Sequence, residues 1–149
     1  MATVKQILDK KGNEIISTSP RTTVYEALSL MADKGIGALP VFDDSQKLVG
    51  IMSERDYARK VILKEKSSKN TSVEEIMSTN VIYVESNRTE EECLALMVGK
   101  RVRHLPVTEG EDVIGFISIG DVVKAVIDTK EFTIEQLMNY IQDKPVIRK

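Results

Sequence analysis

Two turns in this chain carry residue types and spacing that could do chemistry. Ser53-Glu54-Arg55-Asp56 and Ser118-Ile119-Gly120-Asp121 each set a hydroxyl three residues ahead of a carboxylate. At a helix start, that spacing makes a reciprocal cap in which each side chain satisfies a free backbone N–H. The same geometry suits a phosphorylated ligand. A helix N-terminus offers free N–H groups and partial positive charge. The hydroxyl can reach a phosphate, and the carboxylate can accept two hydrogen bonds from the cis-diol of a ribose. Both readings stand on these residues alone. Arg103-His104 adds basic groups elsewhere in the chain.

The elements that must position these turns are written twice. Aligning Leu39-Pro40-Val41 with Leu105-Pro106-Val107 gives an offset of 66, under which Thr23, Glu26, Leu28, Met31 and Lys34 meet identical residues. After a one-residue deletion the offset becomes 65, and Gly50, Ser53, Asp56, Val61 and Ile62 meet Gly115, Ser118, Asp121, Val126 and Ile127. In all, about 15 positions are identical, which marks an internal repeat. A lead-in repeats as well, with Val4, Ile7 and Leu8 matching Val73, Ile76 and Met77 at an offset of 69. The first copy therefore holds three extra residues around Lys10-Lys11-Gly12.

Each copy reads in the same order. Ile15–Thr18 and Val81–Val84 are predicted as short first strands, followed by the breakers Pro20 and Asn87. Thr23-x-x-Glu26 and Thr89-x-x-Glu92 open helices as capping boxes. Val24, Ala27, Leu28 and Met31 then keep the spacing of one buried face. Cys93, Leu94 and Met97 do so in the second copy, where Glu90 stands in place of the valine. Gly35 ends the first of these helices. Ala38–Phe42 with Lys47–Met52, and His104–Thr108 with Asp112–Ile117, are predicted as hairpins. A second helix starts at Ser53 or Ser118. The expected fold is α+β: tandem βαββα repeats about a pseudo-twofold axis, since one copy of about 60 residues is marginal alone. The expected division is 1–63 for the first repeat with its lead-in helix, 64–72 for a polar linker and 73–128 for the second repeat. A helical tail over 129–149 follows, with Phe132, Leu137, Met138 and Ile141 at rough helical spacing and Pro145 ending it.

Composition narrows the function. The chain has 149 residues, 42% hydrophobic, 30% charged and 5% aromatic, with net charge −2. This fits a globular protein and argues against a general nucleic-acid binder. A single cysteine, Cys93, gives no intramolecular disulfide, and a single histidine, His104, gives no His-based metal site. Cys93, Met31 and Met97 read as core. No apolar run spans a bilayer, and the N-terminal residues lack a leader pattern, so a cytoplasmic protein is expected. No acid–base–nucleophile set, metal cluster or phosphate loop has convincing spacing, so neither a catalytic nor a metal-binding residue is assigned.

The runs Gly-Ile-Gly-Ala-Leu-Pro-Val (35–41) and Leu-Val-Gly-Ile-Met-Ser-Glu-Arg-Asp (48–56) carry a resemblance. So do Arg-Val-Arg-His-Leu-Pro-Val (101–107) and Val-Ile-Gly-Phe-Ile-Ser-Ile-Gly-Asp (113–121). The chain resembles the cystathionine-β-synthase-type (CBS) domain pair, or Bateman module, over residues 1–128. It is similar in particular to the small stand-alone CBS-pair proteins of bacteria and plant organelles. That resemblance implies two clefts for adenosine-containing ligands: AMP first, then ATP or ADP, NAD or S-adenosylmethionine. It implies that the Asp of one repeat grips the ribose while the other repeat lines the adenine pocket. Carried over, the first cleft is Ile51, Ser53, Arg55, Asp56, Thr79, Asn80, Val81, Arg103, His104 and Pro106. The second is Lys11, Asn13, Glu14, Ile15, Gly37, Ala38, Pro40, Phe116, Ser118, Gly120 and Asp121. The implied function is a non-catalytic, energy- or redox-sensing regulatory module, a homodimer that signals to an unidentified partner protein.

The clefts are expected to differ. Arg103-His104 precedes one Leu-Pro-Val, whereas Gly37-Ala38 precedes the other. Arg55 stands in one Ser-x-x-Asp, and Gly120 in the other. Arg55, Arg101, Arg103 and His104 gather about the first cleft, so a balanced total charge conceals a local basic site. Two other readings compete. A ligand-independent adaptor or nucleic-acid binder would use the basic stretch Arg59, Lys60, Lys64, Lys66 and Lys69. A small enzyme would turn over a bound nucleotide.

Overall fold

The computed structural model describes residues 2–129. The tail helix expected over 129–149 falls outside the described residues apart from Thr129. In chain order the elements are α1 (Val4–Lys11), α2 (Val24–Lys34), β1 (Ala38–Phe42), β2 (Leu48–Ser53) and α3 (Glu54–Lys60), then α4 (Val73–Ile76), β3 (Val84–Glu85), α5 (Glu90–Lys100), β4 (His104–Glu109), β5 (Asp112–Ser118) and α6 (Ile119–Thr129). A 3-10 turn, Ile62–Lys64, follows α3.

The predicted helix starts are present. Thr23 Oγ1 accepts the Glu26 N–H, and Thr89 with Glu92 closes a full capping box. Gly35 ends α2 in the left-handed region, φ 65° and ψ 37°. Arg101 holds the same conformation after α5, φ 55° and ψ 42°, without glycine's freedom. β1 pairs antiparallel with β2, and β4 with β5.

The predicted first strands are mostly absent. Of Ile15–Thr18 only Thr18 pairs, in a single parallel bridge to Val41. Of Val81–Val84 only Val84 enters a strand, β3, which pairs parallel with β4. The reason lies in the neighbouring strand. Thr18 N–H donates to Pro40 O, and Phe42 N–H donates to Thr18 O. The next bond toward Ile16 would need an N–H from Pro40, which has none. Pro106 stops the second ladder in the same way.

The lead-in helices cross over. Chain order groups α1 with the first repeat and α4 with the second, and the packing reverses this. Val4, Ile7 and Leu8 of α1 are buried with Val84, Cys93, Met97, Leu105, Val107, Ile117 and Val122. Val73 and Ile76 of α4 are buried with Val24, Ala27, Met31, Leu39, Val41 and Met52. Backbone bonds fix the crossing: Val4 N–H to Arg88 O and Val73 N–H to Thr22 O, both 2.8 Å. Glycines make room for it. A Cβ at Gly50 would lie 2.7 Å from Met77 Sδ, and one at Gly115 would lie 2.6 Å from Leu8 Cδ2. These two pairs are equivalent under the repeat.

Candidate nucleotide clefts

Strand pairing places the Ser-x-x-Asp turns. Ala38 lies opposite Ser53 and His104 opposite Ser118, so each Leu-Pro-Val strand sits beside the turn of its own repeat. Glu54 N–H donates to Gly37 O and Ile119 N–H to Arg103 O, which joins each helix start to its neighbouring strand.

Both turns are reciprocal caps. Asp56 N–H donates to Ser53 Oγ at 3.2 Å, and Asp56 Oδ2 accepts from Ser53 N and Oγ at 3.0 Å each. Asp121 Oδ2 accepts from Ser118 N at 2.8 Å and Oγ at 3.0 Å, while its own N–H reaches Ser118 Oγ at 3.3 Å. The capping reading is therefore true of both turns, and it leaves carboxylate capacity over. Asp56 Oδ1 faces Lys60 Nζ at 3.3 Å. Asp121 meets a lysine from the far end of the chain: Lys11 Nζ lies 2.7 Å from Oδ2 and donates to Phe116 O, also at 2.7 Å.

The first cleft encloses about 360 Å³. Of the residues expected there, Ile51, Ser53, Arg55, Asp56, Asn80, Val81, Arg103 and His104 line it. Glu54, Ser78, Ile82, Arg101 and Val102 line it too. Thr79 is exposed beside this lining, and Pro106 is buried in β4 opposite Phe116. Gly37 and Ala38, expected in the second cleft, line the first instead. The antiparallel register forces this, because it brings Ala38 against Ser53. Pro40, also expected in the second cleft, is buried opposite Ile51. Ser78 was missed although it lies two residues beyond α4. Its bridge to Ile51 brings it in.

The second group gathers more tightly. Lys11, Phe116, Ser118 and Asp121 are joined by the bonds above, and Asn13 Nδ2 approaches Ile114 O at 3.5 Å. Gly120 has only Ser118 Oγ near its Cβ position, at 3.6 Å. Glu14 is exposed and Ile15 half-buried. Lys11 and Asp121 also border a cavity of about 560 Å³ between α1 and α6, with Gln6, Lys10 and Lys124. His104 belongs to both groups. Its ring stacks on Phe116, centroids 5.5 Å apart at 14°, while it also lines the first cleft.

The electrostatics follow the packing. Burial first, then Lys11 and Arg103, lower the His104 pKa, and Asp121 opposes them. Burial opposes ionisation of Asp121, but the bonds from Lys11 and Ser118 together outweigh it and hold the carboxyl below its ordinary value. Cys93 is buried, and desolvation, aided by Glu92, pushes its thiol up to about 11. The basic stretch is partly engaged within the chain: Lys60 Nζ donates to Ile76 O at 2.8 Å, and Lys69 lies 4.9 Å over the Tyr25 ring. Among the described residues, no group of His, Cys, Asp and Glu side chains is placed to hold a metal ion. No described helix is long and apolar enough to cross a membrane.

Paired repeats with these turns define a class, and the chain belongs to the CBS domain family, whose model matches residues 4–63 and 73–128. CBS domain pairs serve as regulatory modules. The chain is 36% identical over 148 residues to the CBS domain-containing protein CBSX3, mitochondrial, of Arabidopsis thaliana, covering 94% of this chain and 72% of that protein. It is 53% identical to a protein with CBS domains from Burkholderia ambifaria MC40-6, with TM-score 0.83 over 89% of this chain and 99% of that one. The CBS domain pair of protein MJ0100, solved in complex with 5′-methylthioadenosine and S-adenosyl-L-methionine, is 25% identical with TM-score 0.74, covering 87% of this chain and 98% of that chain.

Proposed function

We propose that this chain is a non-catalytic, cytoplasmic regulatory module that binds an adenine nucleotide, AMP foremost, and passes its occupancy to a partner protein as a homodimer. One observation carries the reading: a single cleft brings the Asp56 carboxylate together with Arg55, Arg101, Arg103 and His104. Ile51, Val81 and Ile82 supply an apolar wall suited to an adenine ring. Asp56 accepts hydrogen bonds from the ribose diol, and the arginines take the phosphate, for which their planar donors are suited. The adenosine ligands held by the MJ0100 pair support this ligand class.

Calorimetry with AMP, ATP, NAD and S-adenosylmethionine tests the reading. AMP is expected to bind the unmodified chain, and Asp56→Asn to weaken it about tenfold or more, since hydrogen bonds to a charged group contribute about 1.5–3 kcal/mol each. Ser53 remains the cap, and the amide oxygen of an Asn at the third helical position can still accept from Ser53, so the same variant should lose less than about 1 kcal/mol of stability. No binding of any adenosine compound, or an AMP affinity unchanged by Asp56→Asn, would overturn the proposal.

A further inference from the structure

We propose that Lys11 gates the second cleft: its ammonium covers the Asp121 carboxylate, and a phosphorylated nucleotide enters by drawing that ammonium onto its phosphate. The inference rests on the nucleotide reading above and concerns the half of the module that reading leaves aside.

The gate is particular to one side. α1 runs eight residues and ends on Lys11, whereas α4 runs four. Lys11 lies among the three extra residues of the first copy, so the second copy has no counterpart for it. The extra residues around Lys10-Lys11-Gly12 thus carry a cation from outside the turn to Asp121 Oδ2 at 2.7 Å, whereas the cation at Asp56 is Lys60 of its own helix, looser at 3.3 Å from Oδ1 and also bonded to Ile76 O. Gly12, at φ +99°, turns the chain away just beyond it.

The contacts show what is covered. Lys11 Nζ and both Ser118 donors converge on Asp121 Oδ2, at 2.7, 2.8 and 3.0 Å. A diol arriving while the lysine stays would find only Oδ1. An ammonium has three donors, and two are spent on Asp121 and the Phe116 carbonyl. The Lys11 side chain is 36% exposed on a flexible stem, so an incoming anion can reach it and turn it. A neutral nucleoside offers nothing to draw it away. Phe116, whose carbonyl Lys11 holds, stacks on His104, and His104 lines the first cleft. The state of the gate is therefore in contact with the other site.

The test uses the full chain. In an Asp56→Asn background, which weakens the first cleft, AMP and adenosine are titrated by calorimetry. AMP is expected to bind at least about tenfold more tightly than adenosine, the scale of one charge-assisted contact. Adding Lys11→Met should bring the two within about threefold, because adenosine gains an uncovered Asp121 while AMP loses its cation. Lys11→Arg should keep the discrimination. The only histidine in the chain gives a second readout by NMR. The His104 imidazole signals should shift in Lys11→Met without ligand, and on AMP addition in the Asp56→Asn chain. A ratio unchanged by Lys11→Met, or His104 signals indifferent to it, overturns the gate. If Asp56→Asn abolishes all AMP binding, the second cleft takes no nucleotide and the gate falls while the first-cleft reading stands. If the unmodified chain binds no AMP, both fall.

Discussion

Leu8 fills the space above Gly115: a β-carbon built on that glycine would lie 2.6 Å from Leu8 Cδ2 and 2.7 Å from Cδ1. The two residues are distant in sequence and belong to opposite repeats by chain order. Gly115→Ala should destabilise by about 1–3 kcal/mol, because Leu8 is buried with little room to move. Leu8→Ala should lose about 2–5 kcal/mol by leaving a cavity. The double variant should lose less than the sum by about 0.5 kcal/mol or more, since the added methyl enters the vacated space. Urea unfolding of the four chains measures this.

Arg101 sits at φ 55°, in the left-handed region, where its counterpart Gly35 sits without penalty. Arg101→Gly should therefore raise stability by about 1 kcal/mol. Arg101 also lines the first cleft. The same variant should bind AMP more weakly, so melting temperature and affinity should move in opposite directions. A drop in both would show that Arg101 is held by contacts worth more than its strain.

Stability should fall on mild acidification, and His104 should carry the change. Its folded pKa is lowered, by burial first and then by Lys11, whereas the unfolded imidazole takes a proton near about pH 6.5. Below that pH the unfolded state binds the extra proton, so stability drops as pH falls toward the folded value. The urea midpoint should be lower at pH 5.5 than at pH 7.5. His104→Gln should flatten that interval, since the chain has no other histidine. Asp121 acts in the same direction at lower pH: its depressed pKa contributes stability above the unfolded value that is lost as pH falls through the folded one.

Cys93 should be inert in the native state. With its thiol raised to about 11 and its side chain in the second core, little thiolate exists at neutral pH and no reagent reaches it. A colorimetric thiol reagent should show no native reaction over minutes and one thiol per chain in denaturant. Rapid native labelling would mean that the second core opens readily.

The repeats, the helix caps and the hairpins were legible because they depend on local residue types. Thr23 with Glu26 and Thr89 with Glu92 announce helix starts whatever lies around them. The first strands were over-read because β-rich composition at Ile15–Thr18 says nothing about Pro40, which withholds the N–H needed on the neighbouring strand. The first cleft was legible through Ser53, Arg55 and Asp56, but Gly37 and Ala38 were assigned across the module. Their placement follows from register, which pairs Ala38 with Ser53. The crossing of α1 and α4 escaped because it is a contact between segments far apart in sequence. A signal for it existed: the two repeat-equivalent glycines, Gly50 and Gly115, sit beside the lead-in residues Met77 and Leu8. Lys11 and Asp121 were assigned to one cleft by the resemblance, but their direct contact was not legible, since it depends on where the extra turn of α1 ends.

The crossed lead-in has a consequence for synthesis on the ribosome. α1 buries Val4, Ile7 and Leu8 against residues that begin at Val84 and end at Val122. While the first repeat emerges, that apolar helix face has no permanent neighbour. At translation rates of about 5–20 residues per second, it waits on the order of ten seconds for its partner strands. The first core meanwhile closes only when Val73 and Ile76 arrive. The nascent chain thus completes its earlier half with a helix from the later one, and the earliest helix is among the last parts to dock.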